Sequence, residues 1–181
     1  MKKFELTTDF ITFFGIKLFR IKALVSFGNV KEGELGGYIE KENNLSQEGS
    51  AWVSGDARVS GDARVFGNAR VYGNACVSGN ACVYGDAWVY GDAWVSGNAW
   101  VSGNARVSGN ADYATVKGFG RVYRDTTFFR TEEKKVKVVC GCFYGTLEEF
   151  RKKVKETHGE SKIAKEYLMV ADLMEYHFEE K

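Results

Sequence analysis

Proline is absent from the 181-residue chain, although average usage of about 5% would supply roughly nine. Collagen, proline-rich linkers and most low-complexity disorder are excluded by that absence beside 21 glycines, because each wants both residues. No apolar run approaches the ~18 residues of a membrane span, so no membrane is expected. An excess of either charge is missing too: 25 Lys and Arg face 24 Asp and Glu, for a net charge of +1. This argues against a dedicated nucleic-acid binder, which carries a basic excess, and equally against an acidic nucleic-acid mimic. The start, MKKFELTTDF, has a glutamate at position 5 and no apolar core segment, which predicts no secretory leader. Four cysteines without a leader predict reduced thiols in a cytoplasm.

What is present is a repeat. From Gly49 to Gly109 glycine recurs every six residues, in eleven units of G-[ND]-A-x-V-x. Asp or Asn follows every one of these glycines except Gly49, which precedes Ser50. Alanine fills the third position throughout, and valine the fifth until Tyr113. In Ala-x-Val-x the Ala and Val side chains share one side and the x residues the other. Gly with Asp or Asn is turn chemistry, since these residues tolerate positive φ. Short strands joined by two-residue corners form a coil, and three strands enclose a triangle that Ala and Val can fill. Eighteen residues then complete one turn, and turns stack at about 4.8 Å like parallel strands. Proline cannot donate to such a ladder, which accounts for its absence from the repeat.

The stretch GDARVSGDARVFGNARVYGN (residues 55–74) resembles the hexapeptide-repeat parallel β-helix family. The resemblance implies a left-handed coil, and many members are acyltransferases. The family unit places glycine directly after the inward aliphatic residue, whereas here one residue, such as Ser54 or Tyr72, intervenes. The flanks, FRIKALVSFGNVKEGELGGYIEKENNLSQEG before the repeat and VVCGCFYGTLEEFRKKVKETHG with KEYL after it, resemble uncharacterised hexapeptide proteins of phages and prophages. Some relatives of the N-terminal part are described as acetyltransferases.

With 18 residues per turn, positions 18 apart stack. One face then carries Trp52, Arg70, Trp88 and Arg106 in its first outward column, with Ser54, Tyr72, Tyr90 and Ser108 beside them. The next face carries Arg58, Cys76 and Trp94; the third carries Arg64, Cys82 and Trp100, with Phe66 and Tyr84 alongside. All four tryptophans are expected to point outward. Alternating Trp and Arg can form a cation–π ladder with the composition of a binding hot spot. Three uses stay open: plain structural stacking or cover by the chain termini, self-association, and a foreign partner. At the corners no Asp stacks directly on another Asp. Asn side chains can hydrogen-bond along such columns, where paired carboxylates would repel.

Residues 1–48 read as short aromatic strands, Phe4 to Thr7, Phe10 to Phe14 and Ile16 to Val25, with Gly15 as a hairpin corner. They are expected to cap the first coil. Leu45 falls in register with the alanine column, so the coil should begin about one unit before Gly49. Residues 114–118 resume A-x-V-x-G three residues early and read as a terminal irregular coil. Two strands should follow, over 119–130 and 135–142, in a locally basic stretch. Thr146-Leu-Glu-Glu149 is a capping box that starts a helix ended by Gly159. A second helix should run from about Ser161 to Phe178, its apolar face marked by Ile163, Tyr167, Val170 and Met174.

Hexapeptide acyltransferases typically use a histidine base, because the acceptor must lose a proton at neutral pH. Residues 49–114 contain no histidine, lysine, glutamate or inserted loop, and the two histidines of the chain are His158 and His177. Cys140-Gly-Cys142 has no second CxxC or HxxxH to complete a zinc site. No catalytic residue, cofactor or metal is therefore expected.

The expectation is a mainly β protein built on a single-stranded parallel β-helix. An N-terminal β cap (1–48) precedes the repeat (49–118), and a two-strand and two-helix module (119–181) follows it. Its function reads as non-catalytic binding. Trp52, Arg70, Tyr72, Trp88, Tyr90, Trp94, Trp100 and Arg106 would face a protein partner or another copy in a homo-oligomer. The phage-like flanks extend this to inhibition of a host defence complex, an anti-CRISPR role included, in the host cytoplasm. The rival readings are an acyl-CoA-dependent acyltransferase using His158 across a subunit boundary, and a structural phage assembly component.

Overall fold

Aromatic and β-branched residues around Gly15 form the first element of the computed structural model, which describes residues 2–179. Strands β1 (Phe4–Phe13) and β2 (Ile16–Ala23) pair antiparallel through Phe14 and Gly15. Both turn residues have positive φ, 48° and 78°, the hairpin geometry that glycine accommodates readily. Strand β3 (Leu35–Ile39) pairs antiparallel with β2 on one side and parallel with Arg58–Val59 on the other. The cap and the repeat thus share one sheet, and the coil begins at β3, earlier than the repeat alone indicates. Leu45 bridges Val65 rather than joining the alanine column. The offset there is 20 residues instead of 18, as it is between Tyr38 and Arg58, and Gln47 just beyond bonds to the cap. Its Oε1 accepts from the Lys3 amide at 2.7 Å, and its Nε2 donates to the Phe4 carbonyl at 3.2 Å.

Ten two-residue strands follow, β4–β13 in chain order: Trp52–Val53, Arg58–Val59, Arg64–Val65, Arg70–Val71, Cys76–Val77, Cys82–Val83, Trp88–Val89, Trp94–Val95, Trp100–Val101 and Arg106–Val107. They stack as three parallel sheets in the orders β3-β5-β8-β11, β4-β7-β10-β13 and β6-β9-β12. Arg70 pairs with Trp52 and with Trp88, and Trp88 with Arg106, so the register is 18 residues. The result is a parallel β-solenoid of about four turns. Its interior is the Ala and Val columns, Ala51 to Ala105 and Val53 to Val107, at most 1% exposed. Each buried valine contributes roughly 1.5–3 kcal/mol relative to exposure. Backbone amides of each coil donate to the next, as Arg70 N does to Ala87 O at 2.9 Å and Tyr72 N to Val89 O at 3.0 Å.

The corners use their side chains as the sequence arranges them. Ser50 Oγ donates to Asn68 Oδ1 at 2.7 Å, and Asn68 Nδ2 to Asp86 Oδ1 at 3.0 Å. Asn74 donates to Asp92 and Asn80 to Asn98, each at 3.0 Å. At the open end of the first coil, the Lys3 ammonium donates to the Ala51 carbonyl at 3.0 Å and lies 4.9 Å from the Phe27 ring centroid.

By contact the chain divides into two units, Met1–Asn110 and Ala111–Lys181. In the second, β14 (Tyr113–Val116), β15 (Thr126–Arg130), β16 (Val136–Cys140) and β17 (Phe143–Thr146) form an antiparallel sheet in that order. Two readings from sequence are corrected here. Residues 113–116 are not a last coil: they pair with Phe129 to Thr126 of β15. Tyr113 takes the valine position and ends the period, and four cross-strand pairs then replace the parallel ladder. The module also has four strands rather than two, because Gly141 at φ 61° turns the chain back into β17.

Helix α1 (Leu147–His158) starts at Thr146, whose Oγ1 accepts from the Glu149 amide at 3.1 Å while Glu149 Oε2 accepts from the Thr146 amide at 2.6 Å. These bonds hold the Glu149 carboxyl below its ordinary range. Helix α2 (Lys162–Phe178) starts at Ser161, whose Oγ accepts from the Ala164 amide at 3.2 Å. Phe128, Val138, Phe150, Val154, Ala171 and Met174 form the core between sheet and helices. Arg151 of α1 bridges to Asp172 and Glu175 of α2 at 2.8 and 2.7 Å. No described helix is long and apolar enough to cross a membrane.

Candidate interaction surface of the solenoid

The residues between Ala and Val cannot enter the coil, so they stand outward in columns whose fate depends on what lies against them. Trp52 leaves the coil but not the protein interior. It is 2% exposed, held edge-on by Phe27 at 5.4 Å and Phe4 at 6.4 Å. Cover by the N-terminal segment removes Trp52 from the expected contact residues, because its indole has no free face.

The second face is shielded in a similar way. Phe14 at the tip of the β1–β2 hairpin stacks on Trp94, with centroids 5.8 Å apart and planes at 25°. Phe13 lies 4.7 Å from the Arg58 guanidinium, measured to its ring centroid, and Cys76 between them in the column is buried. Burial pushes the Cys76 thiol above its ordinary range, which disfavours the nucleophilic thiolate. Trp94 nonetheless keeps an exposed edge, and its Nε1 donates to Ser78 Oγ at 3.4 Å.

On the face of Trp52 the column continues past the cap into an open surface. Arg70 is half-buried and Trp88 is 37% exposed. The Arg106 guanidinium lies 4.4 Å from the Trp88 ring centroid, and its Nη1 donates to the Asp86 and Ala105 carbonyls at 3.0 Å. Beside this column Tyr72 and Tyr90 stack with centroids 5.1 Å apart and planes at 6°. Tyr72 also meets Trp88 edge-on at 6.0 Å. Burial and neighbouring Tyr90 raise the Tyr72 phenol above its ordinary range, so it stays a neutral hydrogen-bonding group. A cleft of about 250 Å³ opens among Trp52, Ser54, Arg70, Tyr72 and Trp88.

Trp100 lies on the third face, where Phe66 and Tyr84 stack at 5.0 Å and 3° and Tyr84 meets Trp100 edge-on at 6.2 Å. The structure therefore brings Arg70, Tyr72, Trp88, Tyr90 and Arg106 together, sets Trp94 and Trp100 on separate faces, and covers Trp52. Sequence periodicity missed Phe13 and Phe14, since nothing in a hairpin's local pattern tells which face its tip will overlie. The density of phenylalanines in a segment expected to cap the coil was the one available signal.

Among the described residues no cluster of three or more His, Cys, Asp or Glu side chains is placed to hold a metal ion. Residues 63–79 and 75–91 match the YdcK beta-solenoid repeat. The two matched windows begin twelve residues apart (75 − 63), which is two units of the period. This supports a repeat family of β-solenoids for the central coils. No curated protein matches the chain at a significant level.

Proposed function

We propose that this is a non-catalytic binding protein whose solenoid offers one pre-formed face to a protein partner. The observation that carries the reading is the exposed Trp88 indole clamped by Arg106 and flanked by the Tyr72–Tyr90 stack. These are the residue types that dominate protein interfaces. Their parallel-strand scaffold fixes them before binding, so little side-chain entropy is lost on contact. Trp94 and Trp100 extend the same aromatic character to the other two faces and serve as secondary contacts. Further support comes from residues 49–114, which contain no histidine, the base that hexapeptide acyltransferases typically use.

The kind of partner follows from the flanks. Their resemblance to phage and prophage proteins supports an accessory role in the host cytoplasm, against a host defence complex. The test is capture from host lysate by the wild type and by a Trp88→Ala/Arg106→Ala variant, with light scattering on both. A partner captured by the wild type and lost by the variant, at unchanged oligomeric state, supports the reading. Loss of self-association alone assigns the face to a homo-oligomer, and full retention of every partner contradicts it.

A further inference from the structure

The C-terminal unit holds a separate concave site. A cavity of about 280 Å³ lies among the loop before β15, the β16–β17 turn and helices α1 and α2. Its floor is apolar. Phe150 and Val154 of α1 are buried, as is Tyr167 of α2. Phe143 packs on Phe150 at 5.5 Å, and Phe150 meets Tyr167 edge-on at 5.6 Å. Tyr167 Oη donates to the Phe119 carbonyl at 3.4 Å, with Cys140 Sγ at 3.9 Å. The ring is thus held from two sides.

Its rim is cationic. Arg121 and Arg124 come from the loop, Lys153 from α1, and His158 lies over Tyr167 with centroids 6.2 Å apart. No carboxylate of the described residues forms an ion pair with Arg121, Arg124 or Lys153. Glu166, whose charge reaches Tyr167, is engaged by Lys162 at 3.6 Å.

Two glycines permit this arrangement. A Cβ on Gly141 would meet the Arg124 guanidinium, and a Cβ on Gly120 the Tyr167 hydroxyl. The loop from Gly120 to β15 holds Tyr123 at φ 51° and leaves Val122 and Tyr123 57% and 69% exposed. Backbone in that region is costly for a residue with a Cβ, and such cost concentrates at ligand sites. Three cationic side chains thus line one cavity whose floor is apolar. An anion with an apolar body suits both features at once.

We propose that this cavity binds a small organic anion, a phosphate or carboxylate carried on one planar apolar ring. The ring lies on Phe150 and Tyr167, and the headgroup is held by Arg121, Arg124 and Lys153. The volume sits just below the ~300–1,000 Å³ of sites for drug-sized ligands, which suits a single ring rather than a dinucleotide.

The probes are phenyl phosphate and benzoate, titrated into the isotope-labelled full chain and followed by NMR. Inorganic phosphate (headgroup alone) and phenol (ring alone) are the controls. Saturable shifts are expected at the Arg121 and Arg124 side chains and at Tyr167 with at least one of the two probes. That probe should bind about tenfold or more tighter than either control. Arg121→Gln/Arg124→Gln should weaken it by about tenfold or more, since a charge-assisted bond is lost at each site. Both arginines are exposed, so the variant should keep the backbone spectrum of α1 and α2. The proposal is overturned if neither probe gives saturable shifts, if phenol binds as tightly as the probes, or if the double variant binds unchanged.

Discussion

Arg106 and Trp88 are partners across adjacent coils: the guanidinium lies 4.4 Å from the indole centroid while also donating to two backbone carbonyls. The arginine is thereby anchored through Nη1 beside the ring, and the tryptophan stays partly exposed. Replacing Arg106 by Gln should free the indole without unfolding the coil, because the ladder bonds of Trp88 and Tyr90 are backbone bonds. An exposed cation–π contact is worth about 0.5–1 kcal/mol. Chemical denaturation should show a loss of that size, with Trp88 fluorescence in a Trp88-only background shifting toward its solvated value.

Glycine corners should differ in tolerance according to what lies above them. A Cβ on Gly49 would stand 2.5 Å from the Gly67 carbonyl oxygen, whereas one on Gly97 meets nothing within 4 Å. Both have left-handed φ, 69° and 68°. Gly97→Ala should therefore cost only the conformational term, about 1–2 kcal/mol. Gly49→Ala should cost clearly more, since backbone must also move. Paired denaturation curves check the order, and equal losses would contradict the close stacking of corners.

The Asn74–Asp92 bond offers a charge test. Asn74→Asp would replace a 3.0 Å amide-to-carboxylate bond with two facing carboxylates, at a cost of roughly 0.5–1 kcal/mol that salt reduces. Asp92→Asn in the same chain should restore most of it. A double-mutant cycle measures the coupling directly, and additivity of the two changes would show that the corner ladder carries no energy.

Much of this architecture was legible from residue spacing. The Ala and Val columns, the corner glycines and the Asn-over-Asp order each follow from a period of six and the chemistry of one residue. Thr146 announced the first helix through its capping box, and the spacing of Ile163, Tyr167, Val170 and Met174 announced the second. Trp52 was not legible as buried, because its own unit is identical in pattern to those of Trp88 and Trp94. Only Phe4 and Phe27, distant in sequence, distinguish it. The fourfold sheet of the C-terminal unit was obscured because Ala114 and Val116 imitate the repeat they no longer belong to. The cationic pocket gathers residues from four segments, and spacing along one segment carries no trace of it.

Lys3 gives a pH dependence whose sign is fixed. Burial lowers its pKa from 10.5 to about 8, so the folded state binds fewer protons than the unfolded one between these values. Stability contributed by this group therefore rises as pH increases from about 8 toward 10. The buried Cys76 thiol and the partly buried Cys82 thiol are both raised by desolvation and oppose that trend, so the comparison is with Lys3→Met. The wild type should gain stability relative to this variant across pH 8–10. A constant difference would show that the ammonium is not desolvated at the first coil.

The most direct measurement is partner capture by three proteins side by side: wild type, Trp88→Ala/Arg106→Ala, and Trp100→Ala, each shown to be folded by circular dichroism. Trp88 and Arg106 lie on one face and Trp100 on another, so the three proteins compare faces rather than merely removing aromatic surface. The predicted result is a partner bound by the wild type, retained largely by Trp100→Ala and lost by Trp88→Ala/Arg106→Ala. Equal capture by all three, or loss with Trp100→Ala alone, would contradict the assignment of binding to the Trp88 face.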